Sequence, residues 1–281
     1  MTSHDVVNRM RRLAATRRVG HLGTLDPMAT GVLPLVIERA TRLAPFLTGG
    51  EKRYDAIIRF GYATDTYDRE GQATGPAIEP SFTREELEIA LREFQGTFLQ
   101  TPPPVSAKKI KGTPAYKLAR KQIAVNLEPV EVTVFSIELH HFESPLATVS
   151  VHCGGGTYIR SIAHDLGRRL GCGAALEQLR RAASGAFQIA DARTLDELTG
   201  LAAEGRLSEA LVPAARLLPE FPAERVDDLT AGKIRQGRDF RVSPFRPDAG
   251  ARYVKAVDAR GELVAIGEAC LPNVYHPVLV L

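Results

Sequence analysis

One acidic residue, Asp26, stands alone in a segment rich in glycine and apolar residues that runs from Gly20 to Leu35. No other acid lies between residues 6 and 37. A carboxylate among apolar neighbours is costly unless it is paired with a cation or serves a function. Pro27 biases Asp26 toward an extended backbone, and an Asp-Pro dipeptide by itself is typical of a turn. The segment therefore admits two interpretations, a turn-forming aspartate and a functional carboxylate.

Other groups of reactive side chains are better explained by structure. The Cys-Gly-Gly-Gly run at residues 153–156 lacks the Gly-Lys-Ser/Thr ending of a nucleotide-binding loop and predicts a tight strand-to-helix turn. Ser161, His164 and Asp165 fall within one predicted helix, where local geometry does not assemble a catalytic relay. The histidines have no partners at metal-ligand spacing, and the three cysteines are too far apart for a metal clip or a disulfide framework. We therefore predict no metal site.

Basic residues are distributed unevenly, although the net charge is only +3. Residues 1–42 contain three acids and seven arginines. The arginines are Arg9, Arg11, Arg12, Arg17, Arg18, Arg39 and Arg42. The stretch from Phe98 to Val125 holds six basic residues and no acid. Either run alone fits a solvated face, but together they predict two phosphate-binding surfaces.

The composition is that of a globular chain. Its 281 residues are 44% hydrophobic and 25% charged, which fits one large domain or a large domain plus a small one. No apolar stretch approaches the roughly 18 residues of a membrane span. The first twenty residues also lack the apolar core of a signal peptide. These features predict a cytoplasmic protein.

The hydrophobic periodicity predicts an α+β fold. Thr2-x-x-Asp5 resembles a capping box and predicts a basic amphipathic helix through about Ala15. β-like runs and helical patterns alternate after it, with strands at Tyr54 to Phe60, Val130 to Leu139 and Leu146 to Cys153, and helices at Thr83 to Phe94, Tyr158 to Leu170 and Ala174 to Ala182. The proline-rich stretch from Thr101 to Ser106 predicts neither a helix nor an inner strand, so we expect the basic segment after it to project as a loop.

The pattern changes after about Phe221. Short β-like runs follow at Tyr253 to Asp258, Leu263 to Ala269 and Val278 to Leu281. Gly261 and Pro272 separate these runs. They predict a small C-terminal β-domain.

The segment around Asp26 matches a longer pattern, G-H-x-G-x-L-D-P-x-A-x-G, at every fixed position from Gly20 to Gly31. This string resembles the surroundings of the catalytic aspartate in the TruB type of bacterial tRNA pseudouridine(55) synthase. Further matching strings follow in order over roughly residues 1–200, at Lys52-Arg53-Tyr54, Thr64-Asp65-Thr66-x-Asp68-x-x-Gly71, Pro104-Val105-Ser106-Ala107-x-Lys109, Gly156-Thr157-Tyr158-Ile159-Arg160 and Leu179-Arg180-Arg181.

The resemblance implies roles for individual residues. Asp26 is similar to the catalytic aspartate, Tyr54 to the tyrosine that stacks on the target base, and Arg160 to the arginine that pairs with the aspartate. The positions expected to bind substrate are the pocket residues Tyr158 and Leu179, the histidine His21 that helps hold the T-loop open, and the basic-loop residues Lys108, Lys109 and Lys111.

The resemblance also implies the organisation of the chain. A catalytic domain is expected at residues 1–220, with a mixed, mainly antiparallel sheet, flanking helices and loops, and a basic RNA-contacting loop at 98–125. A β-rich, PUA-like RNA-binding domain is expected at 221–281. Family members usually begin with a β-strand and a Lys-Pro-x-Gly turn before the residues matched by Thr2 and Ser3. We therefore expect that strand to be missing here, through a late-assigned start or a truncation.

The chemistry of the implied reaction explains these residue types. Conversion of uridine to pseudouridine breaks the bond from N1 to C1′, rotates the uracil and joins C5 to C1′ without redox change, so no cofactor is expected. One carboxylate must be held in a fixed direction. A base extruded from a folded loop regains about 1–3 kcal/mol by stacking on an aromatic side chain. We predict an isomerase that acts on uridine 55 of the tRNA T stem-loop as a cytoplasmic monomer.

Two other classes of function remain for comparison. An RNA-binding or tRNA-folding protein would keep the basic surfaces but would not need Asp26, Tyr54 and Arg160 together. A glycoside hydrolase would need a second carboxylate as general acid. The Asp26 segment supplies only one, and Asp65 and Asp68 lie far from it in the sequence.

Overall fold

The computed structural model describes residues 1–106, 127–244 and 250–281, together with the backbone of two short strands at 109–110 and 113–114. The described residues form six α-helices, namely α1 (Ser3–Leu13), α2 (Ala44–Leu47), α3 (Arg84–Arg92), α4 (Ile159–Arg169), α5 (Leu195–Ala203) and α6 (Asp228–Arg235). None of these helices is long and apolar enough to cross a membrane.

The described strands are numbered in chain order. They are β1 (Val19–His21), β2 (Thr30–Gly31), β3 (Leu35–Ile37), β4 (Lys52–Phe60), β5 (Gly96–Gln100), β6 (Lys109–Ile110), β7 (Thr113–Pro114), β8 (Val130–Glu143), β9 (Leu146–Cys153), β10 (Ala174–Ser184), β11 (Phe187–Gln188), β12 (Ala223–Arg225), β13 (Phe240–Arg241), β14 (Tyr253–Val257), β15 (Leu263–Leu271) and β16 (Val274–Val280).

The chain folds into two compact units, each assembled from separate segments. The first unit contains Met1–Val6, Gly23–Pro34 and Thr48–Ala192, and the second contains Val7–Leu22, Leu35–Leu47 and Arg193–Leu281. The segment around Asp26 therefore belongs to the first unit. The predicted division between residues 220 and 221 stays a prediction.

A seven-stranded sheet forms the framework of the first unit. Its order is β11-β10-β4-β9-β8-β5, and β2 lies alongside β10. The pairing of β2 with β10 is parallel and the other pairings are antiparallel. Helices α3 and α4 pack on the sheet through a shared core that includes Ile58, Phe60, Leu87, Val149, Ile162 and Leu166. This mixed, mainly antiparallel sheet with flanking helices confirms the predicted α+β class.

The prediction of a helix from Ala174 to Ala182 is wrong, because these residues belong to the strand β10. The run is rich in alanine, leucine, glutamate, glutamine and arginine, which favour helices. Tertiary packing overrides that preference. A Cβ at Gly167 of α4 would lie 2.1 Å from the backbone N of Ala174, so only small residues allow the helix to lie this close to the strand.

Most of the other predicted elements are confirmed. The capping box of α1 is present, since the backbone N of Thr2 donates to Asp5 Oδ2 at 2.8 Å and the backbone N of Asp5 donates to Thr2 Oγ1 at 3.2 Å. The predicted strands and helices at β4, β8, β9, α3 and α4 occur at the expected places. Residues 101–106 form neither helix nor strand. The predicted loop after them lies largely outside the described residues.

The second unit contains a five-stranded sheet of order β12-β14-β15-β16-β13. Buried residues that include Ile234 of α6, Phe240, Val254, Val264 and Tyr275 form its core. The C-terminal β-rich region predicted from the sequence is therefore present, with β16 starting at Val274 and not at Val278.

Candidate active site

Asp26 heads a tight turn in the first unit. The backbone N of Ala29 donates to the carbonyl of Asp26 at 2.9 Å, so that Pro27 and Met28 form the corner. Proline at the second position of such a turn presets the backbone angle that the turn requires. The turn-forming and the functional interpretations of Asp26 are therefore compatible, because its backbone makes the turn and its side chain remains available for another interaction.

The carboxylate of Asp26 is bound by the guanidinium of Arg160. Nε of Arg160 donates to Oδ2 at 2.9 Å, and Nη2 donates to Oδ1 at 2.8 Å. Such a two-pronged pair fixes the direction of the carboxylate. The side chain of Arg160 is 5% exposed, whereas that of Asp26 is 27% exposed. Asp26 is thus held from one side and accessible from another.

Arg160 has further partners that complete its donor set. Nη1 donates to the carbonyl of Thr66 at 3.0 Å, and Nη2 donates to the carbonyl of Val105 at 3.0 Å. Oδ2 of Asp68 lies 3.4 Å from Nη1. A buried arginine is tolerated only when its charge and its donors are satisfied, and here two carboxylates and two carbonyls satisfy them.

Asp68 is itself firmly held. Its Oδ1 accepts from Thr66 Oγ1 at 2.7 Å and from the backbone N of Glu70 at 3.0 Å. A Cβ at Gly71 would lie 2.3 Å from Thr66 Oγ1, so this turn requires glycine there. Sequence reasoning gave Asp68 no role at the site. The signal that was available is the Thr64-to-Gly71 string, one of the strings that carry the resemblance.

Arg181 supports the Asp26 loop through hydrogen bonds to its backbone. It is fully buried. Its Nε donates to the carbonyl of Val32 at 2.7 Å, while Nη1 and Nη2 donate to the carbonyls of Thr24 and Gly23 at 3.2 Å each. A Cβ at Gly31 would lie 2.2 Å from the carbonyl oxygen of Arg181. One side chain of β10 therefore ties together both ends of the loop that carries Asp26.

Tyr54 and Leu179 lie on neighbouring strands near this loop. Tyr54 is directly opposite Arg181 across the pairing of β4 with β10. Burial raises the pKa of the Tyr54 phenol to about 12, and the positive charge of Arg181 opposes this shift. Tyr54 and Leu179 are 7% and 6% exposed and share the core of the first unit with Met28.

Tyr158 immediately precedes helix α4. Its backbone N donates to Gln100 Oε1 at 2.8 Å, and Gln100 Nε2 donates to its carbonyl at 3.0 Å. Burial raises the pKa of the Tyr158 phenol, while Ser106 and Arg160 oppose this shift. Both tyrosines are therefore neutral at neutral pH.

The remaining predicted site residues are His21 and three lysines of the basic loop. His21 lies on β1 of the second unit, opposite Leu35 of β3. Lys108 and Lys111 lie outside the described residues, as does the side chain of Lys109. Their roles stay predictions.

A basic cavity of about 600 Å³ lies within the second unit. It is lined by Arg18, Glu38, Arg39, Thr41, Arg42, Arg235, Val280 and Leu281. Three of its arginines belong to the first basic run predicted from the sequence. Arg9 of the same run instead pairs with Asp196 at 3.0 Å. Four arginines against one acidic side chain, Glu38, give this lining an excess of positive charge, which favours phosphate groups.

Comparison with known families gives two adjoining matches. Residues 11–159 match the TruB family pseudouridylate synthase (N terminal domain), and residues 160–219 match the tRNA pseudouridylate synthase B C-terminal domain. The boundary between the two matches lies beside Arg160.

Similar proteins and structures agree with this assignment. The chain is 60% identical to tRNA pseudouridine synthase B of Solibacter usitatus over 280 residues, covering 100% of this chain and 96% of that protein. It is 39% identical to tRNA pseudouridine synthase B of Dehalococcoides mccartyi (strain CBDB1), covering 100% of this chain and 92% of that protein.

A chain in the crystal structure of a Cbf5–Nop10–Gar1 complex is 27% identical with a TM-score of 0.71, covering 97% of this chain and 76% of that one. A chain in an H/ACA RNP bound to a substrate RNA containing 2′-deoxyuridine shares the fold at 24% identity and a TM-score of 0.71, covering 100% and 80%. This chain therefore belongs to the TruB family of tRNA pseudouridine synthases, which are isomerases.

Proposed function

We propose that this chain converts uridine 55 of the tRNA T-loop to pseudouridine, with Asp26 as the catalytic carboxylate and after flipping of the target base. The observation that carries the proposal is the two-pronged pair of Asp26 with Arg160 in a chain of this family. The reaction needs one directed carboxylate that reaches the nucleotide. Asp26 meets both requirements, because its direction is fixed while part of its surface stays exposed.

Tyr54 and Tyr158 support the assignment of the pocket. Burial raises the pKa of both phenols, although Arg181 opposes this shift at Tyr54 and Ser106 and Arg160 oppose it at Tyr158, so both rings are neutral at neutral pH. An extruded uracil loses its stacking partners in the loop, and a neutral aromatic ring replaces part of that energy. We assign base stacking to Tyr54, and contacts along the pocket wall to Tyr158 and Leu179.

Binding of tRNA would rest mainly on phosphate contacts. The basic cavity of the second unit supplies arginines for this purpose. The loop at 98–125 with Lys108, Lys109 and Lys111, the histidine His21, and a PUA-like domain at 221–281 are further proposed RNA contacts. The protein is proposed to act as a monomer in the cytoplasm.

The decisive experiment is incubation with unmodified tRNA followed by mapping of pseudouridine at single-nucleotide resolution. We expect one new pseudouridine, at position 55. Asp26→Asn should abolish its formation while tRNA affinity changes no more than a few-fold, because affinity depends chiefly on phosphate contacts and loop shape.

The results that contradict the proposal are equally clear. Pseudouridine at another position would refute the assignment of uridine 55. Substantial turnover by Asp26→Asn would remove this residue from the mechanism. Binding of tRNA without any modification by the wild type would favour the alternative of an RNA-binding protein.

A further inference from the structure

Tyr67 and His164 form a close aromatic stack beside Arg160. Their ring centroids are 3.7 Å apart and their planes differ by 11°. Both side chains are half-buried. Burial raises the pKa of the Tyr67 phenol and lowers the pKa of the His164 imidazole, with Arg168 adding to the latter shift. The two rings are therefore neutral and stack face to face at neutral pH.

The backbone of Tyr67 is in an unfavourable conformation. Its φ angle is +66°, which lies in the left-handed region that residues with a side chain rarely adopt. Such conformations persist only where the surroundings enforce them. The close stack on His164 is one such contact, because it holds the Tyr67 ring against α4.

The conformation of Tyr67 determines how the two neighbouring residues reach Arg160. Thr66 presents its carbonyl to Nη1 at 3.0 Å, and Asp68 places its carboxylate 3.4 Å from the same atom. An extended backbone at Tyr67 would turn these two groups in different directions. The left-handed residue between them lets both converge on one guanidinium.

His164 joins this turn to the helix that carries Arg160. The two residues are four apart on α4 and so lie on the same face of the helix. Nδ1 of His164 is buried and has no hydrogen-bond partner among the described residues. The imidazole therefore contributes through the face of its ring, against Tyr67.

We propose that Tyr67 and His164 are a positioning pair whose stack fixes the Thr66–Asp68 turn against α4 and thereby holds Arg160 in the orientation that directs Asp26. Neither residue needs to touch the tRNA for this role. The proposal rests on the proposed function insofar as Asp26 is the catalytic carboxylate. It adds two residues that reach the chemistry only through Arg160.

Substitutions at Tyr67 separate the ring from the backbone conformation. Glycine adopts positive φ without a steric penalty, so Tyr67→Gly keeps the turn accessible while removing the stack. We expect its single-turnover rate at saturating tRNA to fall about 10-fold or more, because small misplacements of catalytic groups have effects of this size. The dissociation constant for tRNA should stay near the wild-type value. Tyr67→Phe keeps the ring and should retain the wild-type rate.

Substitutions at His164 provide an independent test of the same proposal. His164→Phe preserves a stacking ring and should retain the rate, whereas His164→Ala should behave like Tyr67→Gly. Combining Tyr67→Gly with Arg160→Lys should give little loss beyond that of Arg160→Lys alone, because both changes act on the same interaction. Melting curves check that each variant is folded at the assay temperature. If Tyr67→Gly is unfolded there, the comparison of His164→Ala with His164→Phe decides the question.

Three outcomes would overturn the proposal. A wild-type rate for both Tyr67→Gly and His164→Ala would show that the stack is dispensable. A loss in Tyr67→Phe equal to that in Tyr67→Gly would assign the effect to the hydroxyl. A fall in tRNA affinity that matches the fall in rate would make the pair an RNA contact. Failure of the proposed function itself would appear separately, as absence of pseudouridine 55 with the wild-type protein.

Discussion

At the scale of single residues, the site depends on the shape of one guanidinium. Arg160 donates to both oxygens of Asp26 and to the carbonyls of Thr66 and Val105, and it lies beside Asp68. A planar group with donors in a fixed fork can serve all of these partners at once. A lysine carries its three donors on one atom and cannot span them. The charge of the cation alone is therefore not sufficient for this site.

This difference predicts that Arg160→Lys lowers the rate of pseudouridine formation by about 10- to 100-fold while the affinity for tRNA hardly changes. The rate is measured in single turnover with excess enzyme, and the affinity by filter binding. Arg169→Lys is a matched control, because Arg169 is on the same helix and pairs with Glu93 at the surface. It should leave both quantities unchanged. Parallel losses of rate and affinity in Arg160→Lys would instead indicate a phosphate contact.

At the scale of elements, β10 is the strand whose conformation could not be predicted from the sequence. Strands with clear alternation or bounded apolar runs, such as β4 and β9, were predictable from the sequence alone. β10 was not, because Ala174, Ala175 and Leu176 are consecutive and all fully buried, so no period of two is visible. Its strand conformation is decided by β4 beside it and by α4 lying close upon it. The contacts with β4 join residues far apart in the chain and leave no local signal.

The same element carries Arg181, whose buried hydrogen bonds predict a contribution to stability. Its three acceptors are backbone carbonyls of the Asp26 loop, and a shorter ammonium group would leave at least one of them unsatisfied. Arg181→Lys should therefore lower the free energy of unfolding by about 1–3 kcal/mol. Arg180→Lys at the exposed neighbouring position should change it by less than about 0.5 kcal/mol. Urea unfolding followed by circular dichroism measures both, and equal stability of the two variants would contradict the role assigned to Arg181.

At the scale of the whole molecule, the candidate catalytic residues and the arginines of the basic cavity belong to different units. Asp26, Arg160 and Tyr54 lie in the first unit, and the basic cavity lies in the second. The sequence predicted the abundance of arginine before residue 43. It did not predict the cavity, because Arg235 joins Arg18 and Arg39 only through the tertiary fold. Rate and affinity should therefore respond to different substitutions.

Neutralising two arginines of the cavity tests this separation. Arg39→Gln combined with Arg42→Gln should weaken tRNA binding and reduce the slope of log affinity against log salt by roughly 0.7 to 0.9 for each phosphate contact that is lost. The single-turnover rate at saturating tRNA should stay at the wild-type value, because neither residue belongs to the unit that holds Asp26. Arg225→Gln combined with Arg260→Gln removes the same charge from exposed positions of the second unit that do not line the cavity, and it should leave the slope unchanged. If both double variants lowered the slope equally, the general positive charge and not this cavity would account for binding. An unchanged slope in the Arg39 and Arg42 variant would show that these arginines face solvent and make no phosphate contact.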